Sequence, residues 1–135
     1  MASLEHKSHI GSLCRLNTEQ GDCMVASIKK DYIVNIMESA QGCAFIDRIV
    51  LFGSALEERC GEESDIDIAV FGDKTEYSAL RSGDYRKFTN RIYQYGDFQD
   101  YDILYFKTGK RRDCAIMKNI DQGQVIYKRG SGGNK

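Results

Sequence analysis

The segment LFGSALEERCGEESDIDIAVFG, residues 51–72, places two carboxylates where a charge is costly. An apolar run ends at Gly53-Ser54, an acidic stretch follows, and Asp65 and Asp67 then lead into a run of Ile, Ala, Val and Phe. The β-branched and aromatic content of DIDIAVFG predicts a strand. Because side chains alternate along a strand, the two carboxylates share one face, and the isoleucines between and after them take the other.

The segments on either side predict helices and two further strands. Apolar residues spaced by three and four predict a helix that begins at Asp22, its N-cap, and stops at Gly42. The other predicted elements are a strand over 45–54, a short helix over 55–60, a strand over 65–72, helical residues 75–96 interrupted near Gly83, a strand over 101–106, a helix over 110–123 and a short extended tail over 124–128. This order predicts an α/β (α+β) domain with a small mixed sheet of three to four strands and flanking helices.

Length, apolar runs and cysteine content together indicate the class of protein. A chain of 135 residues is long enough for one packed domain, which we expect over 22–128, with a flexible leader over 1–21 and a flexible tail over 129–135. It has no apolar run of membrane-spanning length and no secretion signal at its start, so a cytoplasmic protein without membrane association is expected. The five cysteines, an odd number without CxxC spacing, favour reduced thiols over a disulfide framework or a zinc site.

The charge is balanced overall but uneven along the chain. A net charge of −1 argues against a general nucleic-acid binder, for which a basic domain is expected. Four bases nevertheless fall within residues 107–112. The cluster Lys110, Arg111 and Arg112 could contact phosphate or a partner, or be a solvated helix end, and the sequence leaves both interpretations open.

A second acidic pair begins the strand QDYDILYF, in which Asp100 and Asp102 share a face with Leu104. Like charges side by side in a partly buried site repel, and a bound divalent cation removes that repulsion. Oxygen ligands suit Mg²⁺, and three carboxylates on two neighbouring strands could hold two such ions about 4 Å apart. The alternative is that these are turn or capping aspartates at strand ends. The fixed distance from Gly53-Ser54 favours the metal site.

Gly53 and Ser54 provide a second candidate feature. Gly53 ends a predicted strand and Ser54 opens a predicted helix, whose free backbone N–H groups would attract an anion. Glycine lets a phosphate approach the backbone closely, and the Ser54 hydroxyl can add a hydrogen bond. Alternatively, Ser54 is only an N-cap and Gly53 only a turn residue.

Taken together, the apolar strand, Gly-Ser, ten intervening residues and Asp-x-Asp within apolar residues resemble the signature of the DNA polymerase beta-type nucleotidyltransferases. The similarity runs from about Phe45 to Phe106 and is greatest to the small prokaryotic branch called minimal nucleotidyltransferases. It implies a palm-type core and transfer of a nucleoside monophosphate, with ATP as the expected donor, to an acceptor hydroxyl. It also implies two Mg²⁺ ions and release of pyrophosphate.

The same resemblance implies a role for each matching residue. Gly53 and Ser54 would hold the nucleotide triphosphate, and Asp65 and Asp67 would ligate the metals. Asp102 would complete the catalytic and metal-binding set and assist deprotonation of the acceptor. Asp100 is a rival for that third place, because it shares a face with Asp102.

The resemblance also suggests an acceptor. Larger relatives carry an additional helical domain that forms the acceptor site, and this chain has no room for one. Members of the minimal branch resemble antitoxins encoded beside helical toxins of the HEPN type, and some transfer AMP to such a toxin. We therefore expect a HEPN-type partner protein as acceptor. A small-molecule nucleotidyltransferase completed by homo-oligomerisation, and a non-catalytic antitoxin that only binds its partner, remain as alternatives.

Overall fold

The computed structural model describes residues 12–96, 98–110 and 114–130. The strands are β1 Leu13–Thr18, β2 Gly21–Ala26, β3 Ile46–Phe52, β4 Ile66–Gly72, β5 Tyr101–Lys107 and β6 Gln124–Lys128, and the α-helices are α1 Lys30–Ala40, α2 Glu76–Arg81, α3 Gly83–Gln94 and α4 Ala115–Asp121. β1 and β2 form a hairpin, and the other strands form one sheet in the order β5-β4-β3-β6. The predicted mixed sheet with flanking helices is confirmed, with four strands.

Strand direction in the sheet follows from the connections. β3 runs antiparallel to both β4 and β6, whereas β4 and β5 run parallel. Parallel neighbours cannot be joined by a tight turn and need a long crossover. α2 and α3 supply that crossover, and Ser82 separates them by capping α3 through its hydroxyl. The predicted interruption of the helical segment near Gly83 is therefore confirmed.

The two faces of the sheet are covered unequally. One face packs against α1 and α3 in a core that includes Ile33, Ile36, Ile49, Leu51, Ile66, Ile68, Val70, Phe88 and Ile92. Within the described ranges, the opposite face is covered by one short helix, α4, in a smaller cluster of Val50, Phe52, Ala69, Phe71, Phe106, Met117 and Ile120. Because side chains alternate, Asp67 and Asp102 belong to this second, more open face.

The helix predicted from Asp22 is wrong in its first part. Residues 21–26 form β2, which pairs with β1, and the helix begins only at Lys30. Val25, assigned by its spacing to a helix face, is instead buried in the hairpin beside Leu16. Residues 13–18, which the sequence assigns to a leader, thus form a strand. Residues 1–11 lie outside the described residues, and the division of the chain into leader, domain and tail stays a prediction.

The short helix predicted over 55–60 is also wrong. Gly53–Leu56 form a 3-10 turn, closed by the Glu57 N–H donating to the Ser54 carbonyl at 2.9 Å, and Glu57 is already extended. A helix this short has little stability of its own. Burial of Ala55 and Cys60 sets the path of the chain instead.

The last predicted elements are partly confirmed. The predicted helix over 110–123 is shorter and begins at Ala115, while residues 111–113 lie outside the described residues. The predicted extended tail over 124–128 is β6, which pairs with β3 as an edge strand of the sheet. Among the described residues, no helix combines the length and the apolar character needed to cross a bilayer.

Gly123 joins α4 to β6 at a point where the backbone has no space for a side chain. A Cβ at this position would overlap the Leu51 carbonyl oxygen and approach Val50 Cγ1 to 2.8 Å and Phe52 Cβ to 3.0 Å. We expect Gly123→Ala to lower the free energy of unfolding by about 1–3 kcal/mol, the usual cost of overpacking. Gly61→Ala is the control, because in the part of the chain that the structure describes no atom beyond the chain neighbours lies within 4 Å of a Cβ there. Urea denaturation of both variants measures the difference, and equal stabilities would contradict the packing described.

Candidate functional site

Strand register brings two of the predicted carboxylates to neighbouring positions. Asp67 is paired with Phe52 of β3 on one side and with Asp102 of β5 on the other. All three positions lie at the same end of the sheet, where β3 ends and the parallel strands β4 and β5 begin. Asp65 lies two residues before Asp67, just ahead of β4. The predicted convergence of acidic residues from two strands is therefore seen for Asp67 and Asp102.

The environments of these carboxylates differ. Asp65 and Asp102 are exposed, whereas Asp67 is half-buried between its two neighbouring strands. Burial raises the pKa of Asp67, and the negative charges of Asp102 and then Asp65 raise it further. A cation bound at this point would stabilise the ionised form of Asp67 and so offset both contributions.

Gly53 has a backbone angle and a close neighbour, Asp67, that both favour glycine at this position. Its φ of +80° is a left-handed conformation that favours glycine. A Cβ on Gly53 would overlap the carboxylate of Asp67, lying 3.3 Å from Cγ and 3.5 Å from Cβ of that residue. The turn after β3 therefore needs glycine both for its backbone angle and for the close approach of the acidic side chain.

Ser54 lies inside the 3-10 turn rather than before it. The residue that precedes the turn is Phe52, which makes no side-chain capping bond. The alternative that Ser54 is only an N-cap is therefore wrong. Ser54 is half-buried, and its turn lies directly beside Asp67 at the end of β3.

An open cleft of about 360 Å³ is lined by Gly53, Asp67 and Asp102, whereas Ser54 and Asp65 are not among its lining residues. Its lining residues are Phe52, Gly53, Leu56, Glu57, Asp67, Asp102, Ile116, Asn119, Gln122 and Gly123. The sequence did not single out Asn119 and Gln122, although Ile116, Asn119 and Gln122 recur every three residues and so share one face of α4. That spacing could have identified them once α4 was placed over the carboxylate face. Residues with two amide side chains and three carboxylate side chains, the latter Glu57, Asp67 and Asp102, thus line one cavity.

Oxygen ligands in this cleft fit a divalent ion held by few protein groups. No three His, Cys, Asp or Glu side chains in the described ranges are grouped closely enough to hold a metal by themselves. Mg²⁺ usually binds through one or two carboxylates, with water and substrate phosphates as the other ligands. Asp67 and Asp102 fit that pattern. Burial, and then the charges of Asp102 and Asp65, raise the pKa of Asp67, and a bound cation would favour its ionised form.

Asp100 and the basic cluster occupy other places. Asp100 precedes β5 and is exposed; its backbone carbonyl accepts a hydrogen bond from the Ile66 N–H at 3.1 Å. Asp102, not Asp100, is paired with Asp67 and lines the cleft. Lys110 lines a different cleft with Lys107, beyond the far end of β5. Arg111 and Arg112 lie outside the described residues.

Comparison with known proteins gives one result for this chain. The family model described as "Polymerase beta, Nucleotidyltransferase" matches residues 33–131, about three-quarters of the sequence. The matched residues contain the whole four-stranded sheet and every residue that lines the cleft. No curated protein matches the chain at a significant level.

Proposed function

Because the chain belongs to the polymerase beta nucleotidyltransferase family, we propose that it transfers a nucleoside monophosphate from an NTP to an acceptor hydroxyl. The observation that carries this proposal is the pairing of Asp67 with Asp102 in a cleft that Gly53 also lines. Nucleotidyl transfer uses carboxylates to hold divalent cations beside the phosphates. Here the carboxylate of Asp67 lies against Gly53, the proposed phosphate-binding residue. We propose ATP as the donor, from the resemblance to the minimal branch.

In the proposed site the triphosphate lies along the turn that begins at Gly53. The backbone of Gly53 and the hydroxyl of Ser54 face phosphate oxygens, since glycine permits a close approach. Asn119 and Gln122 line the same cleft from α4 and can donate to or accept from the sugar or base.

Divalent metal ions complete the proposed site. We propose that Asp67 and Asp102 hold Mg²⁺, with Asp65 contributing when a second ion binds. Held by these residues, Mg²⁺ would supply positive charge to the phosphates and would lower the pKa of the acceptor hydroxyl. The predicted two-ion arrangement rests on the family resemblance, whereas the carboxylate pair provides ligands for one ion.

The proposed reaction is a displacement at the α-phosphorus. The acceptor oxygen forms a bond to that phosphorus, the bond from phosphorus to the pyrophosphate oxygen breaks, and pyrophosphate leaves. The proton of the acceptor hydroxyl passes to Asp102. The exposure of Asp102 on the edge strand β5 supports this assignment, because an acceptor can reach it from solvent.

We propose that the acceptor is a hydroxyl of a helical partner protein of the HEPN type. The expectation comes from the resemblance to antitoxins of the minimal branch. The open sheet face supports it, since α4 is the one helix among the described residues that covers that side. A protein acceptor could approach Asp102 over the β4–β5 half of this face.

Intact-mass spectrometry of the partner tests this function. The purified chain is incubated with Mg²⁺, one NTP at a time and the helical protein encoded beside it. We expect the partner to gain one nucleoside monophosphate, and the gain to disappear with the double variant Asp67→Asn, Asp102→Asn. An unmodified partner that the double variant still inhibits would support the non-catalytic antitoxin instead. Mass gain on an aminoglycoside and not on the partner would support the small-molecule alternative.

A further inference from the structure

Lys29 is a buried lysine just outside the family match. It is only 1% exposed and ends the 3-10 turn Ser27–Lys29 that leads into α1. Its Nζ donates to the backbone carbonyl of Glu62 at 3.0 Å and to Oε1 of Gln99 at 2.5 Å. The first acceptor lies in the loop before β4, and the second in the segment before β5.

Gln99 extends this contact to both strands. Its Nε2 donates to the Ser64 carbonyl at 3.1 Å and to the Asp100 carbonyl at 2.7 Å. The side chain of one residue thus bridges the backbone just before Asp65 to the backbone just before Asp102. We call Lys29 and Gln99, with these four hydrogen bonds, the lysine–glutamine clamp.

The clamp lies at the end of the sheet where no tight turn fixes the register of β4 against β5. β4 and β5 are parallel and are joined only through the long crossover of α2 and α3. Their starting ends, where Asp67 and Asp102 are paired, are therefore not tied by a hairpin. The backbone hydrogen bond from the Ile66 N–H to the Asp100 carbonyl, at 3.1 Å, and the clamp connect the two segments at this point.

Burial of a lysine is energetically unfavourable compared with burial of an apolar residue. Removing an ammonium group from water is unfavourable, and an apolar residue of similar size is often at least as stabilising. Its hydrogen bonds to the segments that lead into β4 and β5 account for a lysine at this position better than packing does.

We propose that Lys29 and Gln99 are positioning residues, which hold the backbone before Asp65, Asp67 and Asp102 so that the carboxylates bind a divalent cation. This inference rests on the proposed function, because it assigns these carboxylates to metal binding. Neither clamp residue needs to touch the metal or the nucleotide.

The test measures Mn²⁺ affinity of the nucleotide-free protein by electron paramagnetic resonance in the variants Lys29→Met and Gln99→Leu. We expect each variant to bind Mn²⁺ about 10- to 100-fold more weakly, the usual effect of losing groups that orient metal ligands. The control is Tyr105→Phe, which removes the 2.7 Å hydrogen bond from the Tyr105 hydroxyl to the Lys74 carbonyl near the opposite end of β5. Its affinity for Mn²⁺ should equal that of the wild type.

Thermal unfolding of the same proteins separates positioning from folding. If Lys29→Met does not fold, Gln99→Leu decides the result, because that side chain is only half-buried. Unchanged Mn²⁺ affinity in Gln99→Leu, or an equal loss in Tyr105→Phe, would overturn the inference. A wild-type protein that binds Mn²⁺ but transfers no nucleotide would contradict the proposed function alone. A wild-type protein that binds no Mn²⁺ would contradict both.

Discussion

Asp67→Asn is expected to lower the rate of nucleotidyl transfer by about a thousandfold. Asp67 is the half-buried member of the carboxylate pair and contacts the Gly53 turn. A metal ion contributes several kcal/mol of charge stabilisation, and each 1.4 kcal/mol changes a rate tenfold. Steady-state pyrophosphate release measures the loss. Asp73→Asn is the control, because Asp73 is an exposed acid at the other end of β4. Equal activity in the wild type and Asp67→Asn would contradict a role of Asp67 in the reaction.

The same substitution should stabilise the metal-free fold at neutral pH. Burial and the neighbouring acids raise the pKa of Asp67 above its ordinary value of 3.8. The unfolded chain therefore releases this proton at a lower pH than the folded protein does. As pH rises from about 3.8 through the raised pKa of the folded state, the wild type loses stability. Asp67→Asn cannot ionise, so its stability advantage should grow across the same interval. Urea denaturation at a series of pH values without metal measures it, and an advantage that shrank with rising pH would contradict a raised pKa at Asp67.

Gly53→Ala is expected to lower activity by about a hundredfold, because a misplacement of the order of 1 Å at a reacting centre has effects of that size. The added Cβ would displace the Asp67 carboxylate, and the left-handed φ of +80° would cost about 1–2 kcal/mol of stability. Pyrophosphate release and urea denaturation measure the two effects.

Gly109→Ala is the matched control for this prediction. Gly109 has a φ of +87°, and among the described residues no atom beyond its chain neighbours lies within 4 Å of a Cβ, so it carries the backbone penalty without the contact. Both variants should therefore lose similar backbone stability, while only Gly53→Ala loses activity. Equal activities in the two variants would show that the approach of Asp67 to the turn does not matter for the reaction.

The sequence predicted the sheet and the carboxylate pair because strand periodicity is local. Alternation places Asp67 on one face and Ile66 on the other, and the structure confirms this through the pairing of Asp67 with Asp102. The hairpin of β1 and β2 was missed because the apolar spacing after Asp22 also fits a helix. Pairing with residues 13–18 decides in favour of the strand, and a helical pattern in one segment carries no information about that partner.

Other parts of the site depend on contacts between distant segments. Asn119 and Gln122 come into the cleft because α4 packs over Val50 and Phe52, which no local pattern indicates. Likewise, the hydrogen bonds of Lys29 join residues 33 and 70 positions away. The Gly-Ser turn and the Asp-x-Asp pair were recognisable by contrast, because their spacing in the chain is itself the pattern. Cytoplasmic location stays a prediction from the sequence.

The proposed function requires the nucleotide to bind between Gly53 and the Asp67–Asp102 pair. Nuclear magnetic resonance with an ATP analogue that cannot be cleaved at the α-phosphorus, in the presence of Mg²⁺, tests it most directly. The proposed site predicts backbone amide shifts at residues 53–57, 65–67 and 116–123 that saturate together and fail to appear in Asp67→Asn. Shifts confined to the separate cleft around Tyr77, Lys107 and Lys110, or no shift with any nucleotide, would contradict it.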